Sequence, residues 1–478
     1  MDRGGPACVP SIMPEPESYI ITGVPMGYAS DLTVLPIPKL IRRLAVPASI
    51  GMFFNTMFNV VDTYFAGLIS TQALAALSLS LPVFFIIIAT GSGIATGTTS
   101  LIANAFGARN RGEAKLMATQ GITFGVLSAA VVCGAGIAAS PPLFRLLGAT
   151  DVYLADCLIY MNVIFGGTIF FILAYMCNAI LTAQGDTRSF MSFLIIGSFL
   201  NVILDPWFIY GGFGVPAMGI AGVAVATVLI QFMGACFLGY RVYRTGIIAR
   251  EDLQDMIPRW RPMREIARQG FPATMTFLTV ALGFFIITFF VSTFGKEAVA
   301  AYGISIRIEQ IALLPTIGLN VATLTIVAQN NGARLFHRVT EALSCALRYG
   351  ILLMAAGTIL LFAGAPTLIG FFTADETVIA IGTMYLRIAA FVLYAYVILY
   401  VNVAALQGVK KPLFAVWIGL ARQIAAPALV FYSFIHILNW GIGGIWWGIF
   451  MINWCAAAVT YAYTRRTLRA ITREGAGG

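Results

Sequence analysis

Twelve long apolar runs constrain this chain more than any other feature. They lie at 40–66, 77–104, 116–139, 151–183, 189–211, 217–240, 270–293, 299–329, 341–364, 378–407, 412–436 and 442–464. A helix needs about 20 apolar residues to cross roughly 30 Å of hydrocarbon, and backbone in lipid must satisfy its own hydrogen bonds. Each run therefore predicts a transmembrane helix, and several are long enough to tilt or bend. Only 10% of the 478 residues are charged and 59% are apolar, whereas a soluble domain carries about 25% charged residues. The expected fold class is an all-α polytopic membrane protein.

The basic residues sit almost entirely on one side of these runs. They include Lys39, Arg42 and Arg43, then Arg109, Arg111 and Lys115 in FGARNRGEAK, Arg188 in GDTR, and seven arginines from Arg241 to Arg268. Arg334 and Arg338, Lys410 and Lys411, and four arginines in TRRTLRAITR follow, while the opposite loops hold only Arg145 and Lys296. The positive-inside bias predicts that this basic side, with both termini, is cytoplasmic in a bacterial inner membrane. The net charge of +9 then follows from topology, and nucleic-acid binding is not needed to explain it. The seven cysteines are scattered without a CxxC pair, and His337 and His436 are the only histidines. That argues against a disulfide framework or a Cys/His metal site. Residues 1–36 lack the basic-then-apolar order of a cleavable signal peptide and read as a flexible cytoplasmic tail.

The chain repeats itself. A shift of 225 residues superposes Pro47-Ala48 on Pro272-Ala273, Ser80 on Ser305, Gly107-Ala108-Arg109 on Gly332-Ala333-Arg334, and Tyr160 on Tyr385. Each half holds six runs, so the halves are parallel repeats about an axis along the membrane normal. The expected organisation is a six-helix bundle at 37–240, a charged cytoplasmic linker at 241–269, a second bundle at 270–464 and a tail at 465–478. Two pseudo-symmetric bundles around a cleft suit an alternating-access carrier; a channel is the alternative architecture.

The polar residues break the symmetry. Asp62 falls opposite Ile287, and Asp205 falls near Pro427, where the nearby polar residue is Arg422. Asn55, Asn59 and Asp62 stand at i, i+4 and i+7 of the first run, and Asn201 and Asp205 at i and i+4 of the fifth, so each set shares a helix face. Counted from Arg43 and Arg188, the two acids lie at about 25–28 Å, and Thr227, counted from Arg241, at about 21 Å. Two carboxylates, an asparagine carbonyl and a hydroxyl form an all-oxygen set that suits a hard cation, and neighbouring acids also disfavour double ionisation. Na⁺ or a proton would satisfy the cluster. The plainer alternative is polar glue between helices, which is common for single Asn or Thr residues but less so for paired intramembrane acids. Pro206 beside the acid and Pro47 in the first run each remove a backbone donor and mark bending points.

With NVVDTYFAG closing the first run, FGARNRGEA after the second, AQGDT after the fourth and NVILDP in the fifth, the chain resembles the multidrug and toxic compound extrusion (MATE) family. The resemblance covers about residues 36–465. The first-run acid, without a core acid in the seventh run, is most similar to its DNA-damage-inducible branch. The resemblance implies an antiporter that exports organic cations and drugs in exchange for Na⁺ or H⁺. It implies coupling residues at Asp62, Asn201, Asp205 and Thr227, a supporting asparagine at Asn178, and a helix-bending proline at Pro47. Arg307 and Glu309, in ISIRIEQ, resemble a family segment in the eighth run; Glu309 contacts substrate or pairs with Arg387 or Arg422.

No GxxxxGK[ST] phosphate loop, HExxH or Ser/His/Asp pattern is present, so neither ATP drive nor an enzyme is expected. The expected ligands are small-molecule drugs, the coupling ion and the lipid bilayer, with no other cofactor, and the expected state is a monomer. The alternative function is a flippase for lipid-linked saccharide precursors, whose anionic cargo would call for arginines such as Arg307, Arg387 and Arg422 along the cleft.

Overall fold

A computed structural model describes residues 32–149, 151–212, 214–248 and 255–476. Its regular structure is helical, with one isolated antiparallel bridge between Gly212 and Val215. The first lobe comprises α1 (Ile37–Ile69), α2 (Thr71–Gly107), α3 (Arg111–Leu146), α4 (Asp151–Gly166), α5 (Thr168–Ala183), α6 (Arg188–Tyr210) and α7 (Ile220–Arg244). The second comprises α8 (Trp260–Ser292), α9 (Lys296–Gly332), α10 (Phe336–Gly370), α11 (Glu376–Gly408), α12 (Leu413–Leu420), α13 (Ala426–Tyr432) and α14 (Gly441–Ala476). Eleven stretches are long and apolar enough to span a membrane, and α4 with α5, bent by 45° at their junction, supplies the twelfth. The fourth apolar run is thus a broken span. In the eleventh span, a π-helical turn at Ala421–Ala425 separates α12 from α13.

Local sequence sets the helix ends. Ser70, Asn110 and Asp375 cap α2, α3 and α11 by accepting hydrogen bonds from the backbone N–H groups of Ala73, Glu113 and Thr377, satisfying donors that have no partner inside the helix. The repeated Gly-Ala-Arg is a repeated helix stop. Arg109 and Arg334 both adopt left-handed backbone at φ 56° and 58°, directly after α2 and α9.

Several boundaries differ from the sequence expectation: α14 continues to Ala476, twelve residues past its apolar run, and two others are informative. Helix α8 begins at Trp260, ten residues before the apolar run, because Arg261, Glu265 and their neighbours continue the helix beyond hydrocarbon. Gln120 of α3 pins the chain leading into it, donating to the carbonyls of Asp255 and Ile257 and accepting from the N–H of Arg259. Residues 32–36 are packed: Leu32 is buried, its carbonyl accepts from Asn330, and Arg338 donates to the carbonyl of Leu35. Residues 1–31 of the expected tail lie outside the described residues.

The lobes meet at their basic ends. Ser100 and Asn104 of α2 donate to the carbonyls of Gln407 and Gly408 on α11, and Asn331 of α9 donates to Asn104. Gly107 and Gly332 allow α2 and α9 this approach, since a Cβ on either would collide with the backbone carbonyl of Gln329 or Asn104 respectively. Helix α1 belongs to both lobes. Leu40, Ile41, Leu44 and Ala45 share a buried cluster with Leu319, Ile326 and Leu343 of the second lobe, whereas the later turns of α1 pack on α6 of the first. Pro47 lies within this handover, between Ala45 and Ser49, which both pack on Gly318 of α9, inside an unbroken helix.

Candidate functional site

Asp62, Asn201, Asp205 and Thr227 are all buried and converge in the first lobe. The Asn201 amide donates to Asp62 Oδ1 at 2.8 Å. Thr227 Oγ1 lies 3.5 Å from Asp62 Oδ2 and donates to the Val223 carbonyl at 2.9 Å. A hydroxyl has one hydrogen, and the shorter bond to its own helix takes it, so Thr227 turns a lone pair toward Asp62. Asp205 is within hydrogen-bonding reach of Asp62, and Tyr160 faces both acids. Neither Asp205 oxygen nor Asn201 Oδ1 receives a hydrogen bond from the protein, and no salt bridge among the described residues reaches either acid.

The site is therefore an acceptor-rich pocket with too few donors. Buried carboxylates without donors or counter-charges are costly, and like charges side by side add to that cost. A proton shared between the acids or a small hard cation among the oxygens removes both penalties. The other first-run residues border the same space. Asn55, Asn59, Asp62 and Thr227 line a cavity with Tyr160, Tyr175 and Gln231, and the Asn59 side chain is tied back to the Asn55 carbonyl. Asn178 stands apart. It accepts from Thr182 on its own helix and lies five residues from the basic end of α5, about 7.5 Å, against about 25 Å for Asp205 along α6. Pro206 follows Asp205 inside α6 without breaking it.

The second lobe holds a different cluster at equivalent positions. The 225-residue shift carries cavity residues Leu77, Ser80, Phe84, Tyr160, Phe171 and Tyr175 onto Tyr302, Ser305, Glu309, Tyr385, Tyr396 and Tyr400. Tyr385 donates to Glu309 Oε2 at 2.5 Å; Tyr302 stacks on Trp446, and Tyr385 meets both rings edge-to-face. Arg422, within the π-helical turn, donates to Asn453 at 2.7 Å and lies over Tyr396 and Tyr400. Glu309 makes no ion pair with Arg387 or Arg422 among the described residues, though Arg422 lies within electrostatic range of it. Arg387 instead lies over Phe362. Arg307 is exposed on the face of α9 that carries Gly318, which packs against Ala45 and Ser49 of α1. Arg307 lies eleven residues, or three turns, farther from the basic end than Gly318 on that face.

In the sequence Tyr160 stands out only as a marker of the repeat. Its match to Tyr385 was the available signal, because both tyrosines stand beside a buried carboxylate.

The MatE family model matches residues 47–207 and again residues 272–432, two copies offset by the same 225 residues. The chain belongs to the MatE family. MatE proteins are transporters, and this chain lies within a family of multidrug efflux transporters rather than enzymes. It is 28% identical over 435 residues to a probable multidrug resistance protein NorM of Thermotoga maritima, covering 88% of this chain and 91% of that protein. It is 27% identical over 392 residues to a FAD transporter of Shewanella oneidensis, covering 81% and 86%. A solved MOP superfamily transporter from Pyrococcus furiosus superposes with a TM-score of 0.85 at 26% identity, covering 92% of this chain and 98% of that one.

Proposed function

We propose that this MatE protein is an inner-membrane antiporter that exports cationic amphipathic compounds in exchange for Na⁺ or H⁺, with both termini cytoplasmic. The observation that carries the reading is the set of three buried, donor-less oxygens of Asp205 and Asn201 around Asp62. With the basic end cytoplasmic, the lobes are closed inside and the cleft opens outward. An external ion entering the Asp62–Asp205 cluster neutralises it and weakens its hold on a cationic substrate in the adjoining cavity, which leaves. Because α1 joins Asp62 to the second lobe's core, the change in charge reaches the lobe contacts through that helix. The lobes rock about it and the ion is released inside.

Drug uptake into proteoliposomes under imposed Na⁺ or pH gradients tests the proposal. Asp62→Asn and Asp205→Asn are expected to fold and to lose gradient-driven transport; full activity in both discards the assignment.

One observation favours a second substrate class. Arg307 stands exposed on the α9 face that meets α1, with no ion pair among the described residues, and one relative is named a FAD transporter. Loss of anionic-dye transport in Arg307→Ala, with cation transport retained, would support it. Flipping of lipid-linked saccharides gains no such support, since Arg422 is buried and Arg387 lies in a groove away from the cleft.

A further inference from the structure

That groove runs between α10, α11 and α14, on the side of the second lobe away from α1 and α2. Its volume is about 340 Å³, and it is lined by Phe362, Arg387, Ile388, Phe391, Trp447, Phe450 and Trp454. Arg387 is exposed within it, makes no ion pair among the described residues, and has the Phe362 ring 5.7 Å from its guanidinium carbon. The indole N–H of Trp454 is buried and has no acceptor. The wall of the groove that an occupant can touch is apolar, the Trp454 N–H being buried behind it, and the charge beside it is that of the exposed Arg387.

Depth identifies what complements it. Helix α10 has 35 residues and α11 has 33, about 50 Å each, so they overhang a roughly 30 Å hydrocarbon core by about 10 Å at each end. Phe362 lies eight residues from the α10 end opposite the basic loops, about 12 Å, and the guanidinium lies beside its ring. That places the charge at the boundary between hydrocarbon and headgroups. Helix α11 starts at the non-basic end, and side chains on a helix tilt toward its N-terminus, so Arg387 snorkels toward that leaflet's headgroups.

We infer that this groove is a binding site for a net-anionic glycerophospholipid of the leaflet opposite the basic end. Its phosphate is held by Arg387, while an acyl chain lies along the apolar wall formed by Phe391, Trp447 and Phe450. A guanidinium matches a phosphate in two-point geometry. A zwitterionic lipid brings its own cation to compete, which is why the preference is for net negative charge.

The test uses the full chain in vesicles of phosphatidylcholine alone or mixed equally with phosphatidylglycerol, followed by mild extraction and a native mass-spectrometric count of retained lipid. Wild type is expected to retain phosphatidylglycerol at a site that Arg387→Ala and Arg387→Gln weaken about tenfold or more, the loss of one charge-assisted contact. Arg387→Lys is expected to restore it in part. Lipids held by the basic end are common to all variants and cancel in the comparison. An equal melting temperature of the variants in lipid-free detergent confirms intact folding. Equal phosphatidylglycerol retention by wild type and both charge-removing variants overturns the inference, as does equal retention of phosphatidylcholine. A wild-type dimer that Arg387→Ala dissociates would also overturn it, making the groove an interface between copies.

Discussion

Asp205 and Glu309 are both buried carboxyls, yet their surroundings give them opposite chemistry. Glu309 accepts from Tyr385 and has Arg422 nearby, so its charge is matched within the fold. Asp205 faces another acid and receives no donor, so only a mobile positive charge matches it. Asp205→Asn is therefore expected to raise thermal stability, by about 1–2 kcal/mol, because it removes a buried charge and supplies amide donors. The same substitution is expected to cut ion-driven transport at least tenfold; denaturation in detergent and vesicle uptake report the two effects. Glu309→Leu has the reverse sign. It leaves the Tyr385 hydroxyl without its acceptor and is expected to cost about 1–3 kcal/mol, with most of the loss recovered in Glu309→Leu/Tyr385→Phe. A melting series on the two single variants and the double variant decides this.

At the scale of the element, α1 is the part that both lobes share. Its first turns are core of the second lobe, its later turns carry Asp62 into the first, and Pro47 lies at the transition. Proline deprives the Arg43 carbonyl of its helical partner and weakens the helix at that point. Pro47→Ala returns the hydrogen bond. It is expected to leave ion binding at Asp62 intact while slowing turnover several-fold, a separation that ion-binding calorimetry and transport rates measured side by side would reveal. Equal turnover in wild type and variant would remove Pro47 from the mechanism. The π-helical turn around Arg422 is one of two described in the second lobe, the other being Ser433–Ile437; such turns occur often at functional sites, and here Arg422 completes the tyrosine cluster.

For the whole molecule, the decisive contacts are those that close the basic end. Asn104 and Asn331 are 2.7 Å apart there, one from each lobe. Asn104→Cys/Asn331→Cys, with the exposed Cys236 and Cys455 replaced, is expected to be bridged by a short cleavable bis-thiol reagent. Transport should stop on bridging and return on reduction. Transport that continues in the bridged protein would show that the lobes need not separate at this end. Gly332→Leu is expected to act oppositely, since its side chain has no room beside the Asn104 carbonyl, and to expose thiols placed along α2 to water-soluble reagents from the basic side.

The amino-acid sequence by itself determined the number of spans, the repeat and the pairing of Asp62 with Asn201, Asp205 and Thr227. Each depends on spacing along a helix and on the period of 3.6 residues, which are properties of the chain in one dimension. Asn178 shows the limit: its motif matches the family pattern, but its place near the basic end of α5 keeps it out of the cluster. The start of α8 was hidden because polar residues continue a helix beyond hydrocarbon without an apolar signal. The break between α4 and α5 was hidden because one apolar run covers both. Only the tertiary structure decided that Arg422 lies within electrostatic range of Glu309, that α1 is shared between lobes, and that Arg387 faces a groove at headgroup depth. Those outcomes depend on which helix faces turn toward one another, and helices packed in lipid are sorted by shape and a few polar contacts rather than by apolarity, which every face here shares.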